Sequence, residues 1–156
     1  MPVQTSYTKR MKPAVAGLIG WDFGTADLTS VLVETALPFG NFAVQGSKAR
    51  TAVPGNTNVI GVATRSLLSV YAINNAVDAH GPTEMAPIMR EGYVWSPNAG
   101  GAAIPDGGVV YANATGQLVN SAASGAVAVP GCRVEIGGAV GAMCLLRIQT
   151  AIPAGA

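Results

Sequence analysis

Ile88-Met89-Arg90-Glu91-Gly92-Tyr93-Val94-Trp95 is followed by the loop Ser96 to Ile104, and then by Pro105-Asp106-Gly107-Gly108, Val109-Val110-Tyr111-Ala112 and Asn113-Ala114-Thr115-Gly116-Gln117-Leu118-Val119. The order reads as strand, turn, strand, turn, strand. The first run is rich in the aromatic and β-branched residues that suit a pleated, half-buried surface. In Pro105-Asp106-Gly107-Gly108 the proline presets φ, and glycine supplies the positive φ of a tight reversal. Thr115-Gly116 marks a second reversal. The stretch holds no catalytic constellation and predicts a small β scaffold.

The same reading extends in both directions. Ser30 to Leu37 suits a strand or a short helix; its two valines and the following Pro38, which pushes Leu37 out of the helical region, favour the strand. Phe42 and Val44 alternate with Asn41, Ala43 and Gln45, as in a half-buried strand ended by Gly46. Val59 to Thr64 predicts a buried strand, and Leu67 to Ala72 its continuation as strand or turn. Asn74 to Glu84 reads as a loop containing the chain's one histidine, His80, which is expected to be solvated. Ala126 to Val129, a turn at Pro130-Gly131, and Cys132 to Ile136 lead through Gly137-Gly138 into a last strand from Ala142 to Gln149. There Cys132, Val134 and Ile136 share one face, and Cys144, Leu146 and Ile148 share another. Short strands separated by turn signals favour a β-sandwich, jelly roll or barrel. The expected organisation is an N-terminal arm and linker over residues 1–30 and a single β domain over residues 31–156. Trp95 is expected in the core.

Composition narrows the function. The 156 residues are 49% hydrophobic and 11% charged, with a net charge of +1. An average soluble domain carries roughly 25% charged residues, so the deficit suggests a surface covered in part by other chains. The basic residues are scattered. The one tight group, Lys9-Arg10-Lys12, is no phosphate-binding stripe, and no nucleic-acid partner is expected. No stretch offers a sustained apolar membrane span, and the apolar run after Lys12 is too short and interrupted for a signal peptide. Synthesis and residence inside the cell are therefore expected. Two cysteines and one histidine make neither a disulfide framework nor a zinc site. Cys132 and Cys144 flank the Gly137-Gly138 turn and are expected as small buried hydrophobes, with a bridge across the hairpin as the alternative.

Motifs that imitate chemistry lack their context. Trp21-Asp22-Phe23-Gly24-Thr25 matches the first phosphate turn of the actin-like ATPases and the kinase metal triplet, but the partner motifs of both are missing. Gly137 to Gly141 precedes a strand, so it lacks the helix N-terminus that favours phosphate. The carboxylates are dispersed, with no acid/base pair. No catalytic, cofactor-binding or metal-binding residue is assigned.

The order of segments resembles the structural cement, or head decoration, proteins of tailed bacteriophages. The resemblance is carried by the extended start Tyr7 to Gly20, by Pro38-Phe39-Gly40-Asn41-Phe42-Ala43-Val44-Gln45-Gly46, by Ile88 to Trp95, by Ala102 to Tyr111, and by the closing strand Ala142 to Ile148. The family's turn is usually written Gly-Asp before its strand, where this chain has Asp106-Gly107-Gly108. The resemblance implies an all-β, jelly-roll-like body outside a capsid shell, as a dimer or trimer, with the major capsid protein as partner. It implies a virion protein on the capsid exterior, made in the bacterial cytoplasm, with no enzyme activity. Tyr7, Lys9, Arg10, Met11, Trp21 and Phe23 are the expected inter-chain contacts, although Trp21 and Phe23 equally suit the domain's own core. The alternatives are a carbohydrate-binding or host-attachment β module, or a neck or tail component.

Overall fold

The computed structural model of the protein describes residues 15–20, 26–66 and 68–149. In chain order the elements are β1 (Asp27–Val33), β2 (Leu37–Pro38), β3 (Phe42–Gln45), β4 (Thr51–Pro54), β5 (Val59–Ala63), α1 (Val70–Asn75), β6 (Ala79–His80), β7 (Met85–Pro97), β8 (Val109–Ala112), β9 (Leu118–Val119), β10 (Val127–Ile136) and β11 (Met143–Gln149). The body is all-β, in line with the sequence.

Its architecture turns on β7, which is long enough to serve two sheets. Neighbouring strands run β1-β4-β3-β5-β7, and β7 pairs back onto β1, so five strands close a ring. The β1–β4 pair is parallel and the other four seams are antiparallel. A five-stranded ring leaves little interior, and small side chains fit it. Ala43, Ala52, Ala63 and Ala86 line it together with Val31, Val33, Leu37 and Ile88. Beyond the ring the C-terminal half of β7 pairs with β11, and the sheet continues β11-β10-β8-β9.

One bulge lets β7 do both jobs. Leu28 lies opposite Met89 but Asp27 opposite Glu91, so Arg90 is an extra residue on β7. The bulge shifts the alternation: Ile88 points into the ring, while Met89 and Val94, five residues apart, both face a second core. That second core lies between the outer face of β3 and β5, which contributes Phe42 and Val62, and the C-terminal sheet. The sheet supplies Val110, Ala112, Val134, Cys144, Leu146 and Ile148, among others.

The turns read from sequence are present. Gly107 has φ 73°, and the Gly108 amide donates to the Pro105 carbonyl at 3.2 Å. Asp106 Oδ1 also accepts from the Gly137 amide at 2.7 Å, which ties this turn to the β10–β11 hairpin. Asn113 Oδ1 accepts from the amides of Thr115 and Gln117, closing the second reversal.

Other expectations are corrected. β1 starts earlier than expected and ends at Val33, and Leu37 belongs to the separate strand β2, paired with β6. Part of the predicted strand or turn at Leu67 to Ala72 is the start of α1, because Ser69 supplies an N-cap. Pro130-Gly131 is no chain reversal. β10 runs straight through it as an irregularity between Ala128 and Arg133, where Pro130 is exposed and the ladder lacks a regular partner. Trp95 is only half-buried, between the fully buried Val94 and Ser96. Both cysteines are free. Their register explains this: Cys132 faces Ile148, whereas Cys144 lies toward the other end of the hairpin, opposite Ser96 of β7. Desolvation pushes the Cys132 thiol up to about 12, so both act as apolar core groups.

Candidate interaction surface

The densest group of functional interest surrounds α1, on the outside of the ring. Six residues are too few for a helix to persist on propensity alone. Polar groups hold it instead. The Ser69 hydroxyl oxygen accepts from the Ala72 amide at 3.2 Å, and the hydroxyl donates to Glu84 Oε2 at 2.7 Å. Glu84 also accepts from the amides of Tyr71 (2.7 Å) and Gly81 (3.0 Å). Burial raises the Glu84 pKa, but these hydrogen bonds and the nearby His80 outweigh it and hold the carboxyl below its usual value. Ala76, in the left-handed region, ends the helix.

Beneath α1 lies His80, which corrects the expectation of a solvated loop histidine. It is 1% exposed, because β6 pairs with β2 and turns the ring inward. Nε2 lies 2.8 Å from the Thr64 carbonyl. A carbonyl only accepts, so Nε2 carries the proton. The Phe39 ring meets the imidazole edge-on at 4.7 Å, and Arg65 lies over Phe39 at 5.2 Å. Arg65 Nη2 reaches Asp78 Oδ1 at 2.8 Å.

These groups set the response to acid. Burial lowers the His80 pKa, against the opposing pull of the Thr64 carbonyl and Glu84. The unfolded chain therefore takes up this proton more readily than the folded one. The stability contributed by neutral His80 is complete above about pH 6.5 and is lost as pH falls toward the folded-state pKa. Glu34 follows at lower pH. Hydrogen bonds from the Thr51 hydroxyl, the Ser47 amide and hydroxyl, and the Lys48 amide hold it at about 2, against a small opposing effect of burial. Its contribution is complete above 4.5 and is lost down to about 2. The melting temperature of the wild type should fall between pH 7 and pH 5. That of His80→Gln, which keeps a donor but does not titrate, should stay level until the carboxylates protonate. Parallel thermal melts at each pH check this.

The outer face of α1 is apolar. Leu68 is 86% exposed, Ile73 68% and Val70 61%, and Val77 is exposed beside them. None of the residues of α1 is buried. A smaller apolar strip lies on the ring's outer wall, where Leu32 faces Met85 across the β1–β7 seam and Leu28 lies further along β1.

The N-terminal segment 15–20 lies along β7. Gly17 and Gly20 donate to the carbonyls of Trp95 (2.7 Å) and Tyr93 (2.8 Å), and the Trp95 amide donates to Leu18 (2.9 Å). This segment covers Leu145, which is fully buried although alternation puts it on the face opposite Cys144 and Leu146. The contact residues expected from sequence, Tyr7, Lys9, Arg10, Met11, Trp21 and Phe23, all lie outside the described residues. The α1 cluster was missed by reading Leu67 to Ala72 as strand or turn and Asn74 to Glu84 as loop; Ser69 before Val70 and Ile73 carries a cap and one i, i+3 pair of a helix.

Among the described residues, no three His, Cys, Asp or Glu side chains are grouped to hold a metal ion. None of the described helices is long and apolar enough to cross a membrane.

A family model described as structural cement protein (E217 gp24/Pam3 gp6) matches residues 3–149. Among solved structures, a chain from "The capsid of Myoviridae Phage XM1" superimposes with a TM-score of 0.70 at 16% identity, covering 96% of this chain and 99% of that one. At that identity the likeness is one of fold. No curated protein matches the chain.

Proposed function

The chain belongs to the structural cement protein family, and from that premise we propose that it binds the outer surface of an assembled phage head and staples neighbouring major capsid proteins. Membership makes it a capsid-associated structural component of the virion, in a family that is not an enzyme class. The observation that carries the proposal is the extent of the family match, which takes in the whole β body from β1 to β11.

The mechanism is area burial. Apolar surface removed from water is worth roughly 25 cal/mol per Å². Many symmetric copies turn modest single contacts into large collective stability. In this reading the β body is a rigid platform made in the host cytoplasm and added to the head exterior, self-associating as a dimer or trimer. Residues 1–30 serve as arm and linker, with Tyr7, Lys9, Arg10, Met11, Trp21 and Phe23 making inter-chain contacts. Its last part is already woven into β1 and along β7.

Adding the purified protein to heads stripped of it tests the proposal. The protein should sediment with the heads and raise the temperature at which they melt. Protein that stays in the supernatant and leaves head melting unchanged would overturn the reading.

A further inference from the structure

Helix α1 has a composition that its own fold does not use. Val70 and Ile73 on the helix, and Leu68 beside it, stay largely in water, and Val77 is partly exposed. The helix is held by Ser69 and Glu84 and by the Tyr71 ring against Gly81. Between it and the ring lies an open depression of about 230 Å³. Phe39, Ala72, Ile73 and Val77 are among its apolar lining, and the ion pair Arg65–Asp78 lines it too. The space suits one large aliphatic or aromatic side chain.

Arg65 adds a second and independent feature. Asp78 takes Nη2, but Nη1 is buried with no hydrogen-bond acceptor. An unpaired donor on a charged group is costly to leave unmade. Nη1 itself is buried, but the Arg65 side chain is a quarter exposed and lines the depression, so a group entering there meets Nη1 once the guanidinium turns toward it. The acceptor that a guanidinium fork matches best is a second carboxylate.

Resting on the cement reading above, we propose that this depression is the receptor for one large apolar side chain of the major capsid protein, whose neighbouring carboxylate accepts from Arg65 Nη1. The apolar half gives affinity by desolvation. The ionic half fixes orientation and refuses a partner with no acceptor at that place.

Three variants test this on stripped heads, each first shown to melt within a few degrees of the wild type. Ile73→Glu places a charge on the apolar wall. Ala72→Leu fills the depression from within and leaves the outer charges untouched. Arg65→Leu removes the fork. Ile73→Glu and Ala72→Leu should each weaken head binding roughly 10- to 100-fold, as expected for denying burial to one large side chain. Arg65→Leu should weaken it and make the remainder less dependent on salt. Wild-type binding matched by Ile73→Glu and Ala72→Leu would overturn the inference and leave the cement reading standing. Loss in Ile73→Glu with full binding by Ala72→Leu would also overturn it, since the helix would then touch the shell without receiving a side chain. Failure of the wild type itself to bind would bring down both.

Discussion

Phe42→Ala should lower the melting temperature of the isolated protein by about 10 °C. Phe42 is fully buried and stands on the outer face of the ring, in the core that joins β3 and β5 to the C-terminal sheet. Truncating a buried phenylalanine costs about 3–5 kcal/mol, made up of lost transfer free energy and the cavity left behind. In a protein of this size each kcal/mol shifts the midpoint by roughly 2–4 °C. The site cannot easily collapse, because the Phe42 amide and carbonyl are both fixed, to the Gly116 carbonyl and the Gly55 amide. Calorimetry checks the size of the effect. A shift under about 3 °C would mean that the two sheets are not held together through this core.

Gly61→Val should be as damaging for a different reason. Gly61 lies on β5 with φ 156°, and a Cβ there would come 2.3 Å from the Met89 carbonyl oxygen and 2.7 Å from Ile88 Cγ2. The obstacle is the backbone of β7 and not a yielding side-chain tip. Backbone strain of about 1–3 kcal/mol adds to overpacking of similar size. The β5–β7 seam is one of the five that close the ring, so the ring should open there first. Hydrogen exchange at Val62, Thr64 and Met89 should rise before exchange in β10 and β11. Gly101→Ala is the control: a Cβ there meets nothing within 4 Å, and its melting temperature should be unchanged.

What the sequence revealed and what it hid follow a physical line. Features coded by neighbours in the chain were legible. The Pro105 to Gly108 turn rests on residue chemistry, the β10–β11 hairpin on two alternating runs around Gly137-Gly138, and β3 on a short run ended by Gly46, although Asn41 and Ala43 on its expected outer side are buried. Closure of the ring was not legible. β1 pairs with β4 in parallel and with β7 more than fifty residues away, and no local period encodes either partner. Bulges hid more, because Arg90 on β7 and the Pro130 region of β10 each shift the alternation that a sequence reading follows. Helix α1 is shorter than two turns, below the length at which a 3.6-residue period stands out. His80 was misjudged because its burial comes from a two-residue pairing, β2 with β6, that carries almost no signal. The expected contact residues were chosen from the arm, while the exposed apolar group on the body, around α1, came from a segment read as strand or turn and then loop.

The double membership of β7 has a mechanical consequence. Two halves joined by a linker can swing apart under load at little cost. Here the joint is one unbroken strand, bonded to β1 on its N-terminal half and to β11 on its C-terminal half, with segment 15–20 alongside the latter. Pulling the C-terminal sheet away from the ring therefore loads covalent backbone in tension and several hydrogen bonds in shear at once, so that they must fail together and not unzip one at a time. A protein built this way acts as a tie bar and not as a hinge.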